Sequence, residues 1–186
     1  ELTSGLFGAV TGTIQNLGVV NVTFNNGGSY DGRFGALCGL LVKDSSTVTA
    51  ARIENCYVTG SSILSASKIA GAIAGANYGG TIENCFECGN KVSGHSRIGN
   101  LVGDNQNDAS TGTMIGTVTN CYSDTKVVGN QGGKVNGGGV KDAEEFASGE
   151  VAYLLNGSSS DSPVWYQNLD NGQTVDSYPV LDSSHG

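Results

Sequence analysis

Two short phrases recur along this chain in a fixed order, and that repetition limits its possible folds more than any other feature. The later phrase reads Ile14-Gln15-Asn16-Leu17, Ile53-Glu54-Asn55-Cys56-Tyr57, Ile82-Glu83-Asn84-Cys85-Phe86 and Val118-Thr119-Asn120-Cys121-Tyr122. The earlier phrase precedes each copy as Gly5-Leu6-Phe7-Gly8, Phe34-Gly35-Ala36-Leu37-Cys38-Gly39, Ile69-Ala70-Gly71-Ala72-Ile73-Ala74-Gly75 and Ile98-Gly99-Asn100-Leu101-Val102-Gly103. The equivalent glycines Gly35, Gly71 and Gly99 are 36 and then 28 residues apart, and the variation falls between phrases, in 43–51 and 104–116. Insertions confined to one place per repeat point to a solenoid, whose coils accept loops without disturbing the core.

Each phrase alternates apolar residues with Gly, Ala or polar ones, which suits short strands. A helix would lose about 1 kcal/mol relative to alanine at every glycine, and the chain holds 30 of them. Charged residues make up 14%, well below the roughly 25% of ordinary globular domains. Parallel in-register stacking then places like residues on like. Asn16, Asn55, Asn84 and Asn120 are predicted to form an amide ladder at a turn, each bonding its neighbour roughly 4.8 Å away.

Two further columns follow. Cys56, Cys85 and Cys121 share one, with Leu17 in the first coil, which suits a buried apolar site. A disulfide or metal site is the alternative, although stacked side chains pointing the same way give poor disulfide geometry. Cys38 is expected in the core and Cys88 nearer the surface. The total of five cysteines leaves at least one unpaired within the chain, and a lone Cys85-x-x-Cys88 makes a poor zinc site. Tyr57, Phe86 and Tyr122 come next. If the thiols point inward, these rings point outward as a ladder that could stack on sugar rings or a partner protein. The other reading has them packed on loops or on a neighbouring coil. They are the candidate binding residues.

Apolar strands around Gly-x-[Leu/Ile]-x-Gly, followed by [Ile/Val]-x-Asn-Cys-[Tyr/Phe], resemble the GLUG-motif repeats of bacterial cell-surface and secreted proteins. The stretch Glu144 to Gly157, with Trp165-Tyr166-Gln167-Asn168 and Tyr178-Pro179-Val180-Leu181, is similar to the cap that ends such arrays in gut bacteria. Ala36, Ala72 and Asn100 stand where the family has its second glycine, and the first copy is shortened. The resemblance implies a β-helix-like fold, a secreted or cell-surface location, and adhesive roles toward a glycan or a host or cell-surface protein. It carries over no catalytic residue.

Asp142 to Leu155 is predicted as one helix. Phe146, Val151, Leu154 and Leu155 fall near one side, Asp142 is the N-cap, and Asn156-Gly157 is the stop. Together with Trp165, Tyr166 and Tyr178 it is expected to form a lid over the open end of the solenoid, with a ligand-binding site there as the alternative.

A formal net charge of −8, with Lys and Arg scattered singly, argues against nucleic acid and anionic membranes as partners. No apolar run approaches the roughly 20 residues that span a bilayer. Without a starting Met or a signal segment, the chain reads as part of a longer polypeptide. No His-Glu-x-x-His, Gly-x-Ser-x-Gly or P-loop occurs. His95 reads as exposed decoration, and His185 sits in a tail that looks frayed. The rival reading is a polysaccharide-active β-helix enzyme, lyase or glycoside hydrolase, with Glu54 and Glu83 stacked as paired acids. Gln15 and Thr119 fill the same column elsewhere, as at an ordinary solvated position. The loop Asp104 to Asp108 is rich in oxygen ligands but lacks the glycine and terminal glutamate of a calcium loop. The expectation is therefore an all-β chain. A short parallel β-solenoid of four to five coils covers residues 1–140, and a capping helix with a small β segment covers 141–186. Its expected role is a non-catalytic binding unit or spacer, with no cofactor and no metal.

Overall fold

A computed structural model describes residues 2–26, 32–43, 51–65, 69–105, 115–125, 128–131, 134–169 and 175–185. The first coil holds β1 (Leu2–Ser4), β2 (Phe7–Val10), β3 (Thr13–Gln15), β4 (Gly18–Val20) and β5 (Thr23–Asn26). The second repeats the pattern with β6 (Gly32–Gly35), β7 (Cys38–Val42), β8 (Arg52–Glu54), β9 (Tyr57–Thr59) and β10 (Ser62–Ser65). The third has β11 (Ile69–Gly71), β12 (Ala74–Tyr78), β13 (Thr81–Glu83), β14 (Phe86–Cys88) and β15 (Lys91–Ser93). The fourth comprises β16 (Arg97–Ile98), β17 (Val102–Asp104) and β18 (Thr117–Ser123). A shorter fifth supplies β19 (Val128–Gln131) and β20 (Lys134–Val140). Equivalent strands pair in parallel, as in β1-β6-β11-β16 and β2-β7-β12-β17-β19. The chain is a parallel β-solenoid. Among the described residues no helix is long and apolar enough to cross a membrane.

The repeated phrases are the registers. Gly35 pairs with Gly71, and Ile14, Ile53, Ile82 and Val118 stand on one another. Between these strands the chain turns a corner at Asn16, Asn55, Asn84 and Asn120, where φ is 55°, 52°, 50° and 50°. Asparagine tolerates this left-handed conformation better than any other residue but glycine. The turn swings the following cysteine inward. Its thiol donates to the carbonyl two residues back, at 3.2 Å from Cys56, 3.1 Å from Cys85 and 3.2 Å from Cys121. Asn-Cys is thus a local unit in which one residue makes the bend and the next adds a thiol hydrogen bond to a carbonyl that also accepts from the neighbouring coil's backbone. All three cysteines are free and buried in the main core, as is Cys38. Burial pushes the Cys85 thiol up and Cys38 to about 12. The amide ladder is realised where Asn120 Nδ2 donates to Asn84 Oδ1 at 2.9 Å.

The glycines of the earlier phrase mark where backbones nearly touch. A Cβ on Gly35 would lie 2.3 Å from the Cys38 carbonyl oxygen and 2.6 Å from the Gly75 nitrogen. One on Gly75 would lie 2.5 Å from the Phe34 nitrogen. No flexible side chain can give way there, so the motif needs a residue without a Cβ.

The predicted single helix is two, α1 (Ala143–Ala147) and α2 (Glu150–Leu155), separated at Gly149 with φ 86°. Asp142 caps α1 through a reciprocal box: its Oδ1 accepts from the Glu145 N–H at 2.9 Å, and Glu145 Oε2 accepts from the Asp142 N–H at 2.8 Å. Asp142→Ala is expected to cost about 1 kcal/mol, measured as a lower midpoint in denaturant with an unchanged slope. An unaltered midpoint would show that the box adds nothing to the docked cap.

The cap lies on the flank of the solenoid, where it was expected to close the open end. Phe146, Val151, Ala152, Leu155 and Trp165 bury themselves against Phe86 and Tyr122 from successive coils, with Tyr57 and Tyr178 packed alongside. The reason is apolar area: outward rings in consecutive coils make a continuous stripe, and an amphipathic segment removes it from water. Asn156 braces the following turn. Its Oδ1 accepts from the Val164 and Trp165 N–H groups at 2.9 and 3.0 Å, and its Nδ2 donates to the Trp165 carbonyl at 2.8 Å.

Candidate functional site

The aromatic column exists and points outward, but the chain itself occupies it. Phe86 is fully buried, Tyr122 nearly so, and Tyr57 is half-buried. Tyr57 and Phe86 stack with centroids 5.2 Å apart and planes 8° from parallel, and Trp165 meets both edge-on at 5.8 and 5.3 Å. With the cap docked, a ligand has no access to Phe86. A ligand platform on Tyr57, Phe86 and Tyr122 and this packing compete for the same faces.

The cap leaves the asparagine column half covered. Asn120 Nδ2 also donates to the carbonyl of Leu154, the last turn of α2, at 3.0 Å, which seals that end. Asn16 and Asn55 instead open into a groove of about 500 Å³, walled by Val164, Tyr166, Leu181 and Ser183 of the cap. Asn16 is exposed and Asn55 half-buried. The Tyr166 hydroxyl donates to the Pro163 carbonyl at 2.8 Å, and its backbone pairs with Val180, so the ring is held in place. The sequence offered a ligand site near Tyr166 only as the alternative to a lid, and did not place Asn16 and Asn55 opposite it. The walls of the groove come from segments more than a hundred residues apart, as Asn16 and Tyr166 show.

The predicted acidic pair is stacked in register, Glu83 beside Glu54. Arg52, two positions earlier in its strand, ion-pairs with Glu83 and lies 3.9 Å from Glu54 Oε2. The two carboxylates belong to a surface charge ladder. Of the acidic loop, only Asp104 and Asn105 are among the described residues, and Asp104 is buried, bound by Arg97 Nη1 at 2.6 Å and by the Tyr78 hydroxyl at 3.2 Å. The remainder of that loop lies outside the described residues. Among those described, no three His, Cys, Asp or Glu gather as a metal ion would need. His95 is exposed. His185, expected in a frayed tail, is half-buried in a 3-10 turn with Nδ1 2.7 Å from Asp176 Oδ2, a contact that raises its pKa.

The buried acid that sequence reasoning missed is Glu87. It stands in register with Val58 and Ser123, in the inward-facing column between two outward ones, and is fully buried. Its Oε1 lies 2.5 Å from Ser123 Oγ, and its Oε2 accepts from Asn90 Nδ2 at 2.9 Å. Burial pushes the carboxyl up to about 7, the nearby Asp124 charge adds to this, and hydrogen bonds from Ser123 and Asn90 oppose it. Strand alternation carried the signal, since the residue between outward Phe86 and Cys88 must face inward.

Comparison with family models, with curated proteins and with solved structures gives no match to this chain.

Proposed function

We propose that this chain is a non-catalytic binding unit of a secreted or cell-surface protein, and that its ligand is a glycan held in the groove at the open end of the asparagine column. The reading joins the GLUG-like repeats to one observation: the Asn16 and Asn55 amides lie along a groove that also presents the anchored Tyr166 ring. An amide has two donors and an acceptor in one plane, which matches hydroxyl groups on a sugar ring. A tyrosine beside it supplies an apolar face with a polar tip. The groove has the size of ordinary ligand sites, roughly 300–1,000 Å³. The acids that a polysaccharide-cleaving enzyme of this architecture would use, Glu54 and Glu83, share Arg52 instead.

The test is a glycan array followed by titration calorimetry on any hit, comparing the parent chain with Asn16→Gly/Asn55→Gly and with Tyr166→Ala. Glycine keeps the positive φ of both corners while deleting the amides. The expected result is binding that weakens at least tenfold in each variant, the amide pair giving up two polar contacts of about 1 kcal/mol each. A hit unaffected by either variant would move the site elsewhere. An empty array would leave a spacer as the role of the coil.

A further inference from the structure

A second cavity lies on the seam between the solenoid and its cap, with a volume of about 390 Å³. Its solenoid wall is formed at the corners after β9, β14 and β18 by Gly60, Gly89 and Asp124. Its cap wall is formed by Phe146 and Ala147 of α1 and by Tyr178. Gly60 and Gly89 have φ of 58° and 64°, so left-handed turns leave bare backbone there, and a Cβ on Gly89 would meet nothing closer than 3.8 Å. The cavity thus has a small-residue floor, two aromatic side chains and one carboxylate.

Among its described lining residues, Asp124 supplies the carboxylate. Asp124 is partly exposed, and its carboxylate is fixed by the Gly89 N–H, which donates to Oδ2 at 2.6 Å, and by Asn100 Nδ2, which donates to Oδ1 at 3.3 Å. Each oxygen keeps a lone pair for a further donor. Cys88, the other ionisable group at the floor, is held as a neutral thiol, its pKa pushed up to about 12 by burial and by the acids Glu87 and Asp124. Lys141, just before α1, has its ammonium committed to Glu145 and Glu150 of the two helices. Among the described residues no Lys or Arg lines the cavity, and a chain of net charge −8 concentrates cations around itself.

We propose that this seam cavity binds a small organic cation, an ammonium group on a compact apolar body. The ammonium sits against Asp124, and the body fills the space between the glycine floor and the Phe146 and Tyr178 rings. Carboxylate and aromatic faces both favour a cation over a neutral or anionic isostere. This site is separate from the groove at Asn16 and Asn55 and does not depend on the glycan reading.

The probe is phenethylammonium, titrated by calorimetry or ligand-observed NMR against the whole chain, with phenethyl alcohol and phenylacetate as neutral and anionic comparators. The expected order is cation tighter than alcohol by at least tenfold, with no measurable binding of the anion. Asp124→Asn keeps an acceptor for the Gly89 N–H and is expected to erase the preference for the cation while the alcohol binds as before. Ala147→Leu projects into the cavity from a helix position that accepts leucine, and is expected to block all probes. Equal binding of cation and alcohol, a cation preference that survives Asp124→Asn, or no binding of the cation at millimolar concentration would each overturn the proposal.

Discussion

Truncating Phe86 to alanine is expected to release the cap while leaving the coils folded. The ring is fully buried, stacks on Tyr57, and lies within 5.3–5.6 Å, centroid to centroid, of Trp165 and Phe146. Removing a buried phenylalanine costs about 3–5 kcal/mol, and lost ring pairs add roughly 0.5–1.5 kcal/mol each where partners cannot rearrange. That sum falls on one of two separate cores. The main core, from Ile14 through Cys121, contains no residue of the cap, whereas the cap shares its core with the outward rings and Cys88. The measurement is a denaturant titration followed two ways, by Trp165 fluorescence and by the far-ultraviolet strand signal. In the variant the fluorescence transition moves to low denaturant and the strand signal keeps its midpoint. Two coincident transitions, both shifted, would show that cap and coils form a single cooperative unit.

Glu87→Gln is expected to change how stability depends on pH. With a folded value near 7 against about 4.3 for a free glutamate, the native state holds a proton on Glu87 that the unfolded chain has released. The native chain therefore binds more protons through that interval, and stability must fall as pH rises through it. The contribution is complete below about pH 4.3 and lost as pH rises through about 7, a drop of roughly 3–4 kcal/mol at 1.36 kcal/mol per unit. Glutamine reproduces the neutral acid: its oxygen can accept from Asn90 and its amide can donate to Ser123 Oγ, the two groups already in place. The variant should show a flatter stability profile between pH 5 and 8 and exceed the parent at pH 8 by roughly 2–3 kcal/mol. Profiles that run parallel would mean that Glu87 is ionised in the folded chain, stabilised by its hydrogen bonds.

How much of this could be read in advance depended on whether a feature was periodic. The corner asparagines, the inward cysteines and the pairing of Ile53 with Ile82 follow from stacking like on like, because each repeat carries the same instruction. Features that occur once were harder. The break in the C-terminal helix turns on Gly149, a residue that helical periodicity passes over. The docking of the cap along the flank needed two facts to be combined: outward rings in consecutive coils, and an apolar helix face with nothing else to cover. Each was legible alone, but the contact between them is long-range. Glu87 was hidden by its own repeat, since valine holds its place in the coil before and serine in the coil after. That Asn16 and Asn55 lie opposite Tyr166 has no sequence signature, since the groove is a space between two segments distant in the chain.

The cap rests on Tyr57, Phe86 and Tyr122, one ring from each of three successive coils, and this footprint makes it a gauge of coil number. Excising the coil that carries Phe86 would remove the middle contact and shift Tyr57 into its place, leaving Trp165 and Tyr178 facing the wrong coil. Adding coils ahead of the first, which carries Asn16, would leave everything the cap faces in place. Because each coil meets only its neighbours, such an array can gain or lose length freely at one end alone, and duplications fixed in related chains should accumulate there.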